Sequence, residues 1–246
     1  MGIDLHQDSI EKNSEYWNQK PILQTLYGDF YRLIATKLSN LPESKIVELG
    51  SGLGNIHEFI PSCLRTDLFP NPWIDQVENA YHLSFGDESV SDLILTDVFH
   101  HLKYPGTALK EFSRVLHKGG RVIMLEPCIS ALGLLVYGPL HDEPVALTKR
   151  IDWEAPEGWS PEQIDYYAAQ GNASRVFLGK RFRHQLRNWQ TIKTQRRSAI
   201  AYAASGGFSK PQLYPTSALP VIRKLEKALD LFPILFATRL LVILEK

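Results

Sequence analysis

Lys45-Ile46-Val47-Glu48-Leu49-Gly50-Ser51-Gly52-Leu53-Gly54 is the stretch whose reading decides the fold. Its first half is a short β-type run. Its second half places glycine at every other position. The apolar residues suit a strand buried in a sheet. The glycines allow a sharp turn and let a ligand lie against bare backbone. An acid, Glu48, stands at the strand's end. Strand, acid and glycine loop together make a nucleotide-type binding corner.

Downstream the rhythm continues. Ile56 to Ile60 reads as a short helix closed by Pro61. Cys63-Leu64-Arg65-Thr66-Asp67 reads as a second strand ending in an acid, placed to accept hydrogen bonds from both hydroxyls of a ribose. A weaker strand, Trp73 to Val77, precedes Glu78-Asn79-Ala80-Tyr81-His82-Leu83-Ser84-Phe85. Ser91 to Thr96 is a buried strand running into Asp97-Val98-Phe99-His100-His101-Leu102. A helical pattern from Thr107 to Leu116 and a turn at His117-Lys118-Gly119-Gly120 lead to a strand over Arg121 to Glu126. Strands alternating with helices argue for a parallel sheet covered on both faces, with ligands beyond the carboxyl ends of the strands. Glu48, Asp67, Thr96 and Glu126 fall at such ends.

Upstream, Pro21 opens a helical pattern (Ile22, Leu23, Leu26, Tyr27, Phe30, Leu33, Ile34, Leu38) that ends at Asn40-Leu41-Pro42. Residues 1–20 are polar, with Tyr16 and Trp17 as large anchors. Beyond Pro127 the alternation stops. Ala131 to Tyr137 is an apolar run, residues 141–172 are rich in Pro, Asp, Glu, Trp and Tyr, and residues 173–200 are basic. Alternation resumes with Pro211 to Tyr214 as a possible strand. A helix capped by Ser217 and carrying Val221, Ile222, Leu225, Leu229 and Phe232 follows, then a last strand over Leu240 to Leu244.

These motifs together resemble the class I S-adenosylmethionine-dependent methyltransferases, in the small-molecule group called type 11. Glu48 to Gly54 is similar to that family's acid-x-Gly-x-Gly-x-Gly loop, and Asp67 to its ribose-binding acid. Asn79 to Phe85 resembles its Asp-Ala-x-x-Leu-Pro-Phe segment, with Asn79 and Ser84 in place of Asp and Pro. Phe112 to Arg121 resembles Glu-x-x-Arg-Val-Leu-Lys-Pro-Gly-Gly, with Lys118 in place of Pro. The resemblance implies a Rossmann-like α/β fold with a seven-stranded sheet of order 3-2-1-4-5-7-6 and strand seven antiparallel. It implies one domain over residues 1–246: an N-terminal helical cap (1–42), a core (43–128 and 201–246) and a substrate-cap insertion (129–200). It also implies S-adenosyl-L-methionine as the cofactor, with S-adenosyl-L-homocysteine as product. Glu48, Gly50, Ser51, Gly52, Gly54, Asp67, Leu68, Asn79, Ala80 and Thr96 would hold it. The glycine spacing and the preceding acid separate this corner from the Gly-x-Gly-x-x-Gly of dinucleotide enzymes.

His101, His100 and Asp97 are the catalytic candidates, because they follow the fourth strand beside the reacting centre, where an imidazole could take a hydroxyl's proton. The same histidines could instead shape the cofactor pocket. His141-Asp142-Glu143 reads as a solvated loop, since adjacent residues chelate poorly, so no metal is expected. Cys63 and Cys128 read as buried apolar residues; they form no disulfide framework or zinc spacing.

The acceptor is expected to be a small molecule or a lipid- or glycan-linked group. Net charge is zero, yet residues 1–165 hold 13 Lys/Arg against 24 Asp/Glu, whereas residues 166–225 hold 11 Lys/Arg and no acid. Such a block either docks on the acidic part of the chain or draws an anionic partner. On the second reading, Arg175, Lys180, Arg181, Arg183, Arg187, Lys193, Arg196 and Arg197 would hold a phosphate-bearing acceptor, or would meet an anionic membrane together with residues 131–137. Trp153, Trp159, Tyr166 and Tyr167 would stack on the acceptor or pack the lid. The polar N-terminus is unlike a secretory signal and no apolar stretch spans a bilayer, so the expected place is the cytoplasm, with peripheral membrane contact as an option. A non-catalytic S-adenosylmethionine-binding protein is the alternative. A nucleic-acid methyltransferase is a weaker one, because no Asn-Pro-Pro-Tyr motif follows the fourth strand and no nucleic-acid module is recognisable. The oligomeric state is not legible.

Overall fold

The central strands of the sheet are explained by a period-two split of apolar side chains between two helical layers. The computed structural model describes residues 2–42, 45–139, 143, 145–163 and 166–246, with side chains from Ile10 onward. The chain opens with α1 (Gly2–Gln19) and α2 (Pro21–Ala35). The sheet then begins with β1 (Lys45–Leu49), β2 (Cys63–Asp67), the short β3 (Gln76–Val77) and β4 (Val90–Thr96). Next come α3 (Pro105–Val115), β5 (Leu116–Pro127), α4 (Ala131–Tyr137) and α5 (Asn172–Phe177). The chain closes with β6 (Thr191–Arg197), α6 (Ile200–Ala204), α7 (Leu219–Leu229), α8 (Pro233–Phe236) and β7 (Arg239–Glu245). The sheet order is β3-β2-β1-β4-β5-β7-β6. Strands β1 to β5 pair in parallel and β7 runs antiparallel to both neighbours. Fold class, strand order and the antiparallel seventh strand are as the sequence leads one to expect.

On one face Val47, Leu49, Leu93, Leu95, Val122, Met124, Leu240 and Val242 pack against Leu109, Phe112 and Val115 of α3 and Val176 and Phe177 of α5. On the other, Ile46, Ile94, Ile123, Leu125 and Leu241 meet Tyr27, Tyr31 and Ile34 of α2. Alternate residues of one strand thus feed opposite cores, as a sheet covered on both sides requires. Cys63 and Cys128 are buried and free, in line with their reading as small apolar residues.

Several local expectations are corrected. The helix expected after the glycine loop is a single 3-10 turn, Asn55–Glu58. The seventh position of the sheet order is filled by Thr191–Arg197, within the stretch read as insertion. Pro211 to Tyr214, read as a possible strand, lies outside the sheet. Strand β6 hides in the sequence because it is an edge strand: its residues are mostly polar and half-exposed, so alternation is absent. Ser217 does not cap α7, whose N-cap is Ala218.

The cap reaches over the carboxyl ends of the strands and is tied there by named contacts. Trp153 lies against Gly106, where an added Cβ would stand 2.2 Å from the indole nitrogen, and the Gly106 amide donates to Trp153 O at 2.7 Å. Trp159 packs edge-on against Tyr81 and Tyr104 at 5.1 Å. The Ala169 amide donates to His100 O at 3.0 Å.

Phe112 is fully buried between α3 and the sheet. Phe112→Ala is expected to lower unfolding free energy by about 3–5 kcal/mol, read from urea denaturation, because the cavity cannot collapse between two rigid layers.

Candidate functional site

The glycine loop turns back through residues with positive φ. Gly50 has φ +72° and an added Cβ there would stand 2.5 Å from Val98 Cγ2. Gly54 has φ +65° and its Cβ would stand 2.4 Å from the carbonyl oxygen of Trp73. Both positions exclude a side chain by collision. Gly52 differs: φ is +52°, yet an added Cβ would meet nothing within 4 Å. The loop faces open space at that residue, which leaves room for a ligand against its backbone.

Two carboxylates flank this loop. Glu48 is buried at the end of β1, where Ser51 Oγ donates to its Oε2 at 2.6 Å. The Ser51 amide donates to Thr66 O at 2.8 Å, which stitches the loop to β2. Burial pushes the Glu48 carboxyl up to about 8, against hydrogen bonds from Ser51 and Tyr31 that lower it. Asp67, at the end of β2, accepts from the Gly52 amide at 2.9 Å through Oδ2 and from the Leu68 amide at 2.7 Å through Oδ1. The acid read as a ribose ligand is therefore locked beside the open glycine. Further round, Asn79 Oδ1 accepts from the Tyr81 amide at 3.0 Å, and its Nδ2 donates to Pro161 O of the cap at 2.9 Å. Ala80 is half-buried beside it. Thr96 Oγ1, at the end of β4, is buried with no hydrogen-bond partner among the described residues. An orphaned hydroxyl and an open glycine beside a fixed carboxylate suit a polar, ribose-bearing cofactor in this corner.

After β4 the chain carries the catalytic candidates, and its shape depends on Glu126 at the end of β5. Glu126 is fully buried. Its Oε1 accepts from the amides of Val98 at 2.8 Å and Phe99 at 2.7 Å; its Oε2 accepts from the His100 amide at 3.3 Å and lies 2.7 Å from His100 Nδ1. Burial opposes a charge on His100, but Glu126, with help from Glu143 and Asp97, carries the imidazole up to about 10. His101 is more open, with 34% of its side chain exposed. Its Nδ1 sits 2.9 Å from Tyr167 O. A carbonyl only accepts, so Nδ1 carries the proton and the neutral ring's lone pair is on Nε2. Burial and the neighbouring His100 charge lower the His101 pKa. Asp97 has φ +59° and is ion-paired with Arg239, a fully buried arginine on β7.

The sequence places Glu126 at a ligand-facing strand end without a role, and gives no sign of Glu143, Gln170 and Arg239 beside it. Glu143 was read as part of a solvated loop. It is instead largely buried, with its Oε2 3.3 Å from His100 Nε2 and its Oε1 3.6 Å from His101 Nε2. It accepts from Tyr166 Oη at 2.9 Å and from the amide nitrogen of Gln170. Its neighbours His141 and Asp142 lie outside the described residues. Burial opposes its charge, yet the hydrogen bond from His100 and the two imidazoles hold Glu143 well below the usual carboxylate range. The only signal in the sequence was Glu126, an acid closing a buried apolar strand.

Comparisons with known proteins agree with the fold. Residues 47–124 match the family model of the methyltransferase domain. No curated protein matches the chain in sequence. Among solved structures, a SAM-dependent methyltransferase of Thermotoga maritima superposes with TM-score 0.54 at 15% identity, over 97% of this chain and 99% of its own. A SAM dependent methyltransferase of Archaeoglobus fulgidus gives 0.53 at 12%, over 91% and 94%. A chain from the complex of the Haloferax volcanii Trm112 methyltransferase activator with a methyltransferase gives 0.54 at 14%, over 99% and 96%.

Glu48 has a pKa raised in the folded chain. Between its ordinary value near 4.5 and about 8, the unfolded chain ionises while the fold keeps the proton. Stability therefore falls as pH rises through this window and levels off above it. Glu48→Gln is expected to leave stability unchanged near pH 4 and to raise it progressively, by roughly 4 kcal/mol, by pH 8. Melting curves of both proteins across that range would show it. A constant difference at every pH would contradict the assignment. Gly52→Ala is expected to fold with a loss of about 1 kcal/mol and to lose cofactor affinity, measured by calorimetry.

Proposed function

We propose that this chain, a class I S-adenosylmethionine-dependent methyltransferase by its domain match and its sheet, passes the methyl group to a small-molecule or lipid- or glycan-linked acceptor held under the cap. The observation that carries the reading is Asp67 fixed by two backbone amides next to the open backbone of Gly52. Bound there, S-adenosylmethionine supplies a methyl group on a positively charged sulfur, so the leaving group needs little assistance.

The chain's own work is then binding, positioning and exclusion of water. Asp67 would take the ribose hydroxyls, and Leu68, Asn79 and Ala80 the adenine. Glu48, Ser51 and the backbone of Gly50, Gly52 and Gly54 would hold the methionine end, with Thr96 Oγ1 gaining a partner. The acceptor's lone pair forms the new bond to the methyl carbon as the carbon–sulfur bond breaks, and S-adenosylhomocysteine leaves. Of the three catalytic candidates, His101 is best placed to meet the acceptor. His100 is buried against Glu126, and Asp97 is drawn to Arg239.

The acceptor's class rests on two surfaces. Arg150, Asp152, Trp153, Glu154, Arg181 and Phe182 line a groove of about 480 Å³, where two cations face two carboxylates and Arg150 is paired with Asp152, so it suits a polar group without selecting its charge. Arg175, counted with the basic block, is instead engaged with the carbonyls of Ala146 and Lys149. Lys193, Arg196 and Arg197 lie on the edge strand β6. The apolar surface continues from Leu134 and Leu135 of α4 to Leu231, Phe232, Ile234 and Leu235 around α8, all exposed, and α4 packs on α8. Both helices adjoin the carboxyl edge of the sheet, which favours an acceptor approached from a lipid surface. No helix among the described residues is long and apolar enough to cross a membrane.

Calorimetry with S-adenosylmethionine and S-adenosylhomocysteine tests the reading. Micromolar binding is expected, weakened about 10- to 100-fold in Asp67→Ala, the loss of hydrogen bonds to a charged acceptor. Absence of binding to both compounds would remove it. Binding with no methyl transfer to any lipid or glycan fraction would favour the non-catalytic alternative. Flotation with vesicles containing anionic lipid is expected to carry the wild type and to leave Leu231→Glu/Ile234→Glu behind; equal behaviour of the two would remove the lipid-surface part.

A further inference from the structure

From the convergence of His100 Nε2, His101 Nε2 and the Glu143 carboxylate, we infer that the chain has a mononuclear site for a divalent first-row transition ion, such as Zn²⁺ or Mn²⁺, at the acceptor side of the cleft. These three ligand atoms lie within 4.8 Å of one another. His100 Nε2 lies 3.3 Å from Glu143 Oε2 and His101 Nε2 lies 3.6 Å from Glu143 Oε1, so each imidazole nitrogen faces one oxygen of the same carboxylate. Two imidazoles and one carboxylate on one side of an ion, with positions open on the other, form a donor set such ions use.

The outer partners fit the same reading. A metal-bound histidine commonly gives its other ring N–H to a carboxylate or a carbonyl. Here His100 Nδ1 faces Glu126 and His101 Nδ1 faces Tyr167 O, so both Nε2 atoms are turned toward Glu143. Gln170 provides an independent sign. It is buried, its amide nitrogen lies 3.2 Å from His100 Nε2 and donates to Glu143 Oε2, and its Oε1 is buried with no hydrogen-bond partner among the described residues.

Charge points the same way. A proton on His100 Nε2 satisfies the contact with Glu143 Oε2. It leaves the His101 lone pair facing Glu143 Oε1, whereas one divalent cation would take both imidazole lone pairs and the Glu143 carboxylate. The earlier expectation of no metal rested on His141, Asp142 and Glu143 being sequence neighbours. The cluster forms because Glu143 descends from the cap onto two histidines that follow β4. Such an ion would bind an acceptor oxygen and lower its pKa, so that the hydroxyl proton leaves to water before the oxygen attacks the methyl carbon.

The inference rests on the acceptor lying beyond β4, as proposed above, and its test is separate from the cofactor corner. The full chain is stripped with chelator, dialysed against Zn²⁺, Mn²⁺, Co²⁺ or Ni²⁺ in turn, and its metal content and S-adenosylhomocysteine binding are both measured. One ion per chain is expected, with micromolar or tighter affinity. Affinity is expected to fall at least 10-fold in both His101→Ala and Glu143→Gln while S-adenosylhomocysteine binding persists. With Co²⁺, visible absorption from nitrogen and oxygen ligation is expected in the wild type and lost in His101→Ala. Retention of none of the four ions, or equal retention by wild type and Glu143→Gln, overturns the site. Loss of S-adenosylhomocysteine binding with metal retained would instead count against the cofactor reading alone.

Discussion

The active side of this molecule depends on one buried carboxylate. Glu126 closes β5 and collects three consecutive backbone amides and an imidazole N–H from the segment that leaves β4. A buried carboxylate without such donors would be costly. With them, it fixes the direction in which the chain turns out of the sheet. It presents His100 and His101 together, their ring centroids 4.2 Å apart. The parallel pairing of β4 with β5, with Thr96 opposite Leu125, puts Glu126 one residue beyond the last paired position. The register of the sheet is thus the ruler that sets the acceptor side.

The two sides of the candidate site are built differently. The glycine-loop side is local: a strand, three glycines and the acid of the neighbouring strand, held by backbone amides. The side around His100 is assembled from distant pieces. Residues after β4, Glu126 on β5, Glu143 and Gln170 of the cap and Arg239 on β7 meet only once the sheet has formed and the cap has closed on Trp153 and Trp159.

That difference explains what could be read in the sequence. Glycine spacing, Glu48 and Asp67 are legible because their chemistry depends on near neighbours and on a strand pairing that alternation announces. The strand order followed from a resemblance to a fold, with β7 visible as a dense apolar run. The site around His100 was only half legible. Its histidines stood out, but Glu126 and Gln170 lie 26 and 70 residues away and carry no shared pattern. Glu143 could not be told from a surface acid, since the cap has no periodicity to announce which side faces inward. Strand β6 was misplaced for a related reason. An edge strand has one neighbour and a wet outer rim, so its composition resembles that of a loop.

The position of β6 gives part of the basic block a second meaning. A sheet that ends in an open strand offers unpaired amides and carbonyls to any other chain with a strand to lend. Here one margin is β3, two residues long, and the other is β6, bearing Lys193, Arg196 and Arg197. Two such margins approaching side by side would bring like charges together along the seam. The short strand offers too little backbone to compensate. The cations of residues 191–197 thus disfavour edge-to-edge pairing of two copies of β6.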